Sequence, residues 1–119
     1  MTRILIVVLI LFSSSVKADV SAEQQLEIDH LLNFVKHSSC KINRNGTTHE
    51  GSQAESHIQK KYQYFKNDIK TTEQFIELSA TKSTMSGNYY TVKCGENKSY
   101  GTKEWLLEEL RIYRENGNT

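Results

Sequence analysis

Proline is absent from this chain of 119 residues, which contains only two cysteines and one tryptophan. The lack of proline excludes proline-rich linkers and PxxP recognition tracts. Two cysteines alone cannot complete a zinc site or a disulfide-dense fold. Fifteen basic residues against fourteen acidic ones give a formal charge of +1, which does not indicate the basic surface of a nucleic-acid-binding protein. The length and the 37% of hydrophobic residues fit one globular domain.

The N-terminus carries the one long hydrophobic run of the sequence. This run, residues 4–12, follows Arg3, and the small residue Ala18 comes shortly after it. A positive start, a short apolar run and a small residue at the end are typical of a cleaved signal peptide. The nine residues of the run are fewer than the ~20 that a membrane-spanning helix needs. We expect residues 1–18 to be removed, in preference to a retained anchor or a buried strand, and residues 19–119 to form a single small domain.

Export predicts an oxidising environment for the two cysteines. The expected location is periplasmic or secreted, and without Arg3 and Lys17 the domain has a formal charge of −1. Cysteines in such compartments usually pair. We therefore expect a disulfide between Cys40 and Cys94, with two buried free thiols as the alternative. Since no second hydrophobic run follows, the sequence predicts a soluble product without a membrane span.

Four segments repeat hydrophobic residues with the spacing of an amphipathic helix. A serine or threonine begins each segment, and three of them have capping-box spacing: Ser21 with Gln24, Ser52 with Glu55, Thr71 with Gln74, and Thr102 alone. The residues predicted to face the core are Ile28, Leu31, Leu32 and Val35; Ala54, Ile58, Tyr62, Phe65 and Ile69; Phe75, Ile76, Leu78 and Ala80; and Leu106, Leu107, Leu110 and Tyr113, with Trp105 beside the last group.

The dipeptide Asn45-Gly46 predicts a tight β-hairpin, because both central residues of a type I′ turn need a positive φ. A two-residue loop pairs Arg44 with Thr47, Asn43 with Thr48 and Ile42 with His49, and alternation then places Cys40, Ile42, Arg44, Thr47 and His49 on one face. A second strand over residues 89–94, returning at Tyr100, gives a second hairpin-like unit. We therefore predict an α+β fold, with about four helices packed on a small antiparallel sheet built from two hairpin-like units.

Several separated motifs stand out along the domain. They are Arg44-Asn45-Gly46; Ala54, His57 and Lys61; Ile69, Thr71, Glu73, Phe75 and Ile76; Ser83, Ser86, Gly87 and Tyr90; and Trp105, Leu106 and Leu110. In order and spacing this set resembles the YfeK-like family of small bacterial secreted proteins over about residues 27–112. The chain departs from the family at Asn88, just before the predicted second strand. The resemblance implies a bacterial exported protein and brings no activity with it.

Arg44, His57 and Lys61 are candidate binding residues. An arginine beside a rigid turn can hold a carboxylate or phosphate with two hydrogen bonds, or it can pair internally with Glu73 or Glu77. His57 and Lys61 share a helix face, where an imidazole can act as a general base or bind an acidic ligand. The alternative is a structural strut. We expect His57 to be mostly buried and Lys61 to keep its ammonium in water.

Ser83, Ser86 and Tyr90 complete the candidate binding set. The sequence around the two serines lacks the G-x-S-x-G and P-loop patterns, so a hydroxyl-rich turn is favoured over a nucleophile or a phosphate-binding loop. The histidines, which are His30, His37, His49 and His57, have no metal-ligand spacing. The sequence therefore predicts neither a metal nor a cofactor.

Together these features favour a non-enzymatic binding, accessory or inhibitor protein. Its expected partner is another exported or envelope protein, and not nucleic acid. The alternative is a small hydrolase-like enzyme in which His57 acts with Arg44 or Lys61 and with nearby Ser83 or Ser86. An enzyme needs these side chains converging in a concave pocket, whereas a binding module needs an exposed patch. A third hypothesis is a chiefly structural protein without a small-molecule site.

Overall fold

The computed structural model describes residues 20–117, so the predicted signal peptide lies outside the described residues. Within this range the helices are α1 (Ala22–Lys36), α2 (Gly51–Phe65), α3 (Thr72–Ser79) and α4 (Thr102–Gly117), with a 3₁₀ turn at Lys66–Asp68. The strands are β1 (Lys41–Arg44), β2 (Thr47–His49), β3 (Thr91–Lys93) and β4 (Tyr100–Gly101). The predicted α+β class is confirmed. None of the helices described is long and apolar enough to cross a membrane.

The four strands form one antiparallel sheet in the order β2-β1-β3-β4. The first hairpin has the predicted register, with Ile42 opposite His49, and its turn residues Asn45 and Gly46 have φ values of 52° and 83°. The second hairpin joins the first through the pairing of β1 with β3, in which Ile42 lies opposite Val92. Both predicted hairpin-like units are therefore present and share one sheet.

A disulfide joins Cys40, just before β1, to Cys94, just after β3, with their Cα atoms 4.3 Å apart. The predicted pairing is therefore present in the structure. The disulfide lies beside the cross-strand pair of Lys41 and Lys93. The like charges of these two lysines repel each other and weaken the pairing of the two strands. The bond holds β1 against β3 at this point, and these two strands position the candidate site.

The hydrophobic core lies between the inner face of the sheet and the four helices. It is formed by Ile28, Leu31, Leu32, Val35, Ile42, Ala54, Ile58, Tyr62, Ile69, Phe75, Ile76, Ala80, Val92, Trp105, Leu106 and Leu110. Most predicted core positions are confirmed, with Phe65 and Leu78 partly buried at its margin. Tyr113 is an exception, since it is half-buried outside the core and stacks on His30.

The inward face of α4 differs from the prediction at Leu107, which is exposed. Trp105 is buried instead and lies against Phe34 of α1, with 4.9 Å between the ring centroids. Because the large indole gains more by burial than one leucine, α4 turns Trp105 and Leu106 inward and Leu107 outward.

Helix α2 begins at Gly51, two residues earlier than the predicted capping box at Ser52 and Glu55 requires, so that prediction is wrong. Glu50 is the N-cap, and the side chain of Gln53 accepts a hydrogen bond from its backbone N–H at 3.0 Å. The reason is the close contact of α2 with the end of α1. A Cβ on Gly51 would lie 2.3 Å from the carbonyl oxygen of Val35, so only glycine fits at this crossing.

Candidate functional site

Tyr90 lies at the centre of a group of side chains that come from three separate parts of the sequence. Its ring is buried, and its backbone N–H donates to the carbonyl of Thr81 at 2.9 Å. Its hydroxyl lies 3.4 Å from His57 Nε2 and accepts a hydrogen bond from Lys61 Nζ at 3.4 Å. The guanidinium carbon of Arg44 lies 5.5 Å from the centroid of the Tyr90 ring. We call Arg44, His57, Lys61 and Tyr90 the Tyr90 cluster.

Arg44 is the last residue of β1 and projects from the inner face of the hairpin. Its Nε is buried, and among the described residues it has no hydrogen-bond partner. The predicted alternative of an internal strut is wrong, because Glu73 pairs with Arg114 and Glu77 pairs with Lys103. The tight turn at Asn45 fixes the end of the strand and thereby directs Arg44 toward Tyr90.

Lys61 is buried, contrary to the expectation that its ammonium stays in water. Its Nζ donates to the carbonyl oxygen of Lys82 at 2.6 Å and also contacts the Tyr90 hydroxyl. The same atom lies 5.1 Å from the Tyr90 ring centroid, a distance at which a cation is attracted by an aromatic ring. These contacts replace part of the hydration that the ammonium loses. They use two of its three donors.

His57 is partly exposed, so the expectation of a mostly buried side chain holds only in part. Its ring meets Tyr90 edge-on, at an interplanar angle of 78°. Burial, followed by the positive charges of Arg44 and Lys61, lowers the pKa of His57 to about 4. The imidazole is therefore neutral at neutral pH, when each nitrogen acts as either donor or acceptor.

The two candidate serines hold a loop in place. Among the hydrogen bonds of residues 20–117, none joins either serine to His57. Ser83 Oγ accepts from the backbone N–H of Ser86 at 3.3 Å. Ser86 Oγ donates to Asn45 Oδ1 at 2.8 Å and accepts from the backbone N–H of Asn88 at 3.2 Å. The loop that leads into Tyr90 is thus attached to the hairpin turn that carries Arg44.

The Tyr90 cluster is positively charged and lacks an internal acid. Across residues 20–117, the ion pairs involve neither Arg44 nor Lys61 nor His57. The positive charges of His49 and Lys60, when present, further disfavour protonation of His57. Buried cations normally have an anionic partner, so this arrangement suits an anion.

A metal ion does not suit the same place. In the part of the chain that the structure describes, no three His, Cys, Asp or Glu side chains lie close enough together to hold one. The cationic side chains of Arg44 and Lys61 donate hydrogen bonds and provide no lone pair for a metal.

A small cavity lies directly behind the cluster. Its volume is about 10 Å³, and Arg44, His57 and Tyr90 form part of its wall. The rest of the wall is mostly apolar and includes Val35, Ile42, Ala54, Ile58, Trp105 and Leu106. The cluster therefore combines a charged rim with an apolar interior.

The structure brings together four of the residues that the sequence singled out, Arg44, His57, Lys61 and Tyr90, but the sequence did not predict that Tyr90 would contact the other three through its hydroxyl and ring. No local sequence pattern predicts this contact, because His57 and Tyr90 are 33 residues apart and belong to different parts of the fold. The contribution of the Lys82 carbonyl was also missed. Every residue has a backbone carbonyl, so the residue type does not indicate which carbonyl will accept such a hydrogen bond.

Fold and site together define a small α+β domain that is closed by one inter-strand disulfide and contains a cationic cluster around a buried tyrosine. Residues 22–114 match the model of a family of unknown function, DUF5329. The chain is 33% identical over 85 residues to the uncharacterized protein YfeK of Salmonella typhimurium, covering 71% of each chain. It belongs to the DUF5329 family, and the resemblance to YfeK-like proteins is confirmed. No solved structure matches the chain significantly.

Proposed function

We propose that this chain is an exported, non-enzymatic binding protein that holds an anionic group of its partner at the Tyr90 cluster. The observation that carries the proposal is the lack of any acidic partner, within residues 20–117, for Arg44 and the buried Lys61. The anion is a carboxylate or phosphate, the groups that arginine binds with paired hydrogen bonds.

The electrostatics of the cluster support an anion as the missing partner. Two cations that lie close to one aromatic ring repel each other, and the repulsion is strong where the local dielectric is low. The unpartnered Nε of Arg44 adds the cost of a buried donor without an acceptor. One bound anion removes both costs, so binding is favoured without rearrangement of the fold.

The location of the protein is part of the same proposal. Residues 1–18 have the pattern of a signal peptide, and the Cys40–Cys94 disulfide suits an oxidising compartment. We propose that the partner is another exported or envelope component. Sequencing of the exported product should begin at Asp19, whereas recovery of Met1 from a membrane fraction would contradict export by cleavage.

A titration of the folded protein with sodium acetate and with sodium phosphate, at constant ionic strength, tests the anion site. In two-dimensional NMR spectra we expect saturable shifts around Arg44 and Tyr90. The bound anion should also raise the pKa of His57, because it offsets the charges of Arg44 and Lys61 that lower it. A purely structural cluster gives neither response.

A pair of matched variants makes the test specific. Arg44→Gln should weaken anion binding at least tenfold, because it removes the guanidinium. Arg111→Gln is the control, since Arg111 is exposed on α4 and already paired with Glu108 and Glu115. Equal loss of binding in both variants, or no binding by the unaltered protein, contradicts the proposal. Circular dichroism of each variant verifies that it is folded.

A further inference from the structure

From the cavity behind the Tyr90 cluster we infer the chemical class of the ligand: a carboxylate whose neighbouring carbon bears one methyl group. A C-terminal alanine of a peptide has this chemistry, and so does a small free acid such as propionate. The inference rests on the proposed function, because it takes the anion site as given and adds the group beside the anion.

The size and lining of the cavity point to one apolar group. Its volume of about 10 Å³ is close to the space that one water-sized group needs. A buried water requires two to four polar partners. The polar side chains at the wall are those of Arg44, His57, Tyr90 and Thr102. The Thr102 hydroxyl donates to the Ala80 carbonyl, and the Tyr90 hydroxyl lies against His57 Nε2. Arg44 Nε is unpartnered among the described residues. A methyl group fits such walls better than water does.

The route into the cavity fixes the orientation of the ligand. Of the residues that line it, Arg44 and His57 are partly exposed, whereas the others are buried. A ligand from solvent therefore enters between these two side chains. Its carboxylate then meets the guanidinium of Arg44 at the rim, and the adjacent methyl group points inward toward Ala54 and Leu106.

The same geometry argues against other anions. Phosphate carries no apolar group, so it leaves the cavity empty and gains only the contacts at the rim. A larger side chain, such as that of valine, exceeds the volume and forces the packed walls apart, which is costly in a protein interior. The positive charge at the rim thus selects the anionic group of the ligand, and the volume of the cavity selects the apolar group beside it.

A series of small ligands, titrated into the folded, disulfide-bonded protein and followed by NMR, tests the inference. N-acetylalanine should bind about fourfold more tightly than N-acetylglycine, which is the ratio expected for burial of one methyl group. N-acetylvaline should bind more weakly than N-acetylalanine. N-acetylalaninamide, which lacks the carboxylate, should not bind at the cluster.

Propionate and N-acetylalanine distinguish the two sources of this chemistry. Tighter binding of N-acetylalanine indicates a peptide C-terminus, and equal binding indicates a free acid. Both results support the inference. If N-acetylglycine binds as tightly as N-acetylalanine, the inference is overturned and the anion site stands. If none of the carboxylates nor phosphate binds, both the inference and the proposed function are overturned.

A variant that fills the cavity gives a second test. Ala54→Val adds two methyl groups to the wall and should reduce the affinity for N-acetylalanine to that for N-acetylglycine. The affinity for N-acetylglycine itself should not change. Ala22→Val, at the exposed start of α1, is the control. A fourfold preference that persists in folded Ala54→Val overturns the inference. If this variant does not fold, the ligand series on the unaltered protein still decides.

Discussion

Asn45 and Ser86 are joined by a hydrogen bond of 2.8 Å between their side chains, although 41 residues separate them in sequence. Asn45 is the first residue of the hairpin turn and directly follows Arg44. Ser86 belongs to the loop that leads into Tyr90, and the side chain of Asn88 also lies 3.4 Å from the same Asn45 oxygen. The contact ties the two backbone segments that supply Arg44 and Tyr90 to the cluster.

Removal of this contact should weaken anion binding more than it weakens the fold. For Ser86→Ala we expect a severalfold loss of acetate affinity and a loss of about 1 kcal/mol or less in the free energy of unfolding, since the bond is exposed. Thr84→Ala, in the same exposed loop, is the control and should change neither quantity. If the two variants have the same affinity for acetate, then Ser86 does not position Arg44.

The depressed pKa of His57 predicts a specific dependence of stability on pH. Because its pKa is about 4 in the folded protein against 6.5 ordinarily, the unfolded chain takes up the proton first as the pH falls. The contribution of His57 to the free energy of unfolding is therefore fully present above pH 6.5. It decreases as the pH falls from 6.5 toward 4 and does not change further at lower pH. We expect a loss of about 1 kcal/mol, because solvent screens the partly exposed ring.

Urea unfolding at about pH 7 and about pH 4.5 measures this effect. The groups that face His57 are Arg44 and His49 on the hairpin and Lys60 and Lys61 on α2. In His57→Gln the difference between the two pH values should shrink by the amount assigned to His57. The other acidic and basic groups contribute equally to both proteins. An unchanged difference would show that His57 titrates normally.

Glu27 of α1 should be among the most important charged groups for stability. It is buried and accepts hydrogen bonds from Arg114 Nε at 2.7 Å and from the Thr72 hydroxyl at 2.6 Å. The bond from Arg114 is the main cause that lowers the pKa of Glu27. Its stabilising contribution is therefore complete at neutral pH and is lost as the pH falls through the lowered pKa.

For Glu27→Gln we expect the free energy of unfolding at pH 7 to fall by about 2 kcal/mol, because Arg114 loses a charged partner at a buried site. Glu108→Gln removes an exposed acid that pairs with Arg111, and it should leave the urea midpoint unchanged. Comparable midpoints for the two variants would contradict the assigned role of Glu27.

Reduction of the Cys40–Cys94 bond should destabilise the protein. The bond closes a loop with a sequence separation of 54 residues, for which the loss of chain entropy in the unfolded state is worth about 4 kcal/mol. Urea unfolding with and without a reductant measures the difference. Labelling of the denatured protein without reductant should detect no free thiol. A labelled thiol in that experiment would contradict the bond.

Local patterns predicted most of the fold. The register of the first hairpin followed from Asn45-Gly46 because the turn itself sets which residues face each other. Thr71 caps α3 as predicted, with the side chain of Gln74 reaching back. Prediction failed at the start of α2, where the contact of Gly51 with α1 overrode the serine signal. That contact is tertiary, so no nearby residue reports it.

The sequence named side chains that the structure brings together around Tyr90, but it did not predict their burial or the absence of acidic partners within residues 20–117. Lys61 was expected in water because lysine is rarely buried. The carbonyl of Lys82 and the hydroxyl of Tyr90 make burial tolerable, and both come from a distant part of the chain. Arg44 also lacks the acidic partners that were expected for it, because Glu73 pairs with Arg114 and Glu77 pairs with Lys103. Which acid pairs with which base depends on tertiary contacts, so the local sequence does not indicate it.

The central pairing of β1 with β3 has a consequence for the order of folding. Helices and the first hairpin form from neighbouring residues, whereas β1 and β3 are far apart in sequence and form a long-range contact, which is slower to form. Arg44 enters the Tyr90 cluster from β1 and Tyr90 enters it next to β3. The Tyr90 cluster is therefore assembled only when this long-range pairing forms, so a chain that has only its helices and its first hairpin does not yet contain the cluster.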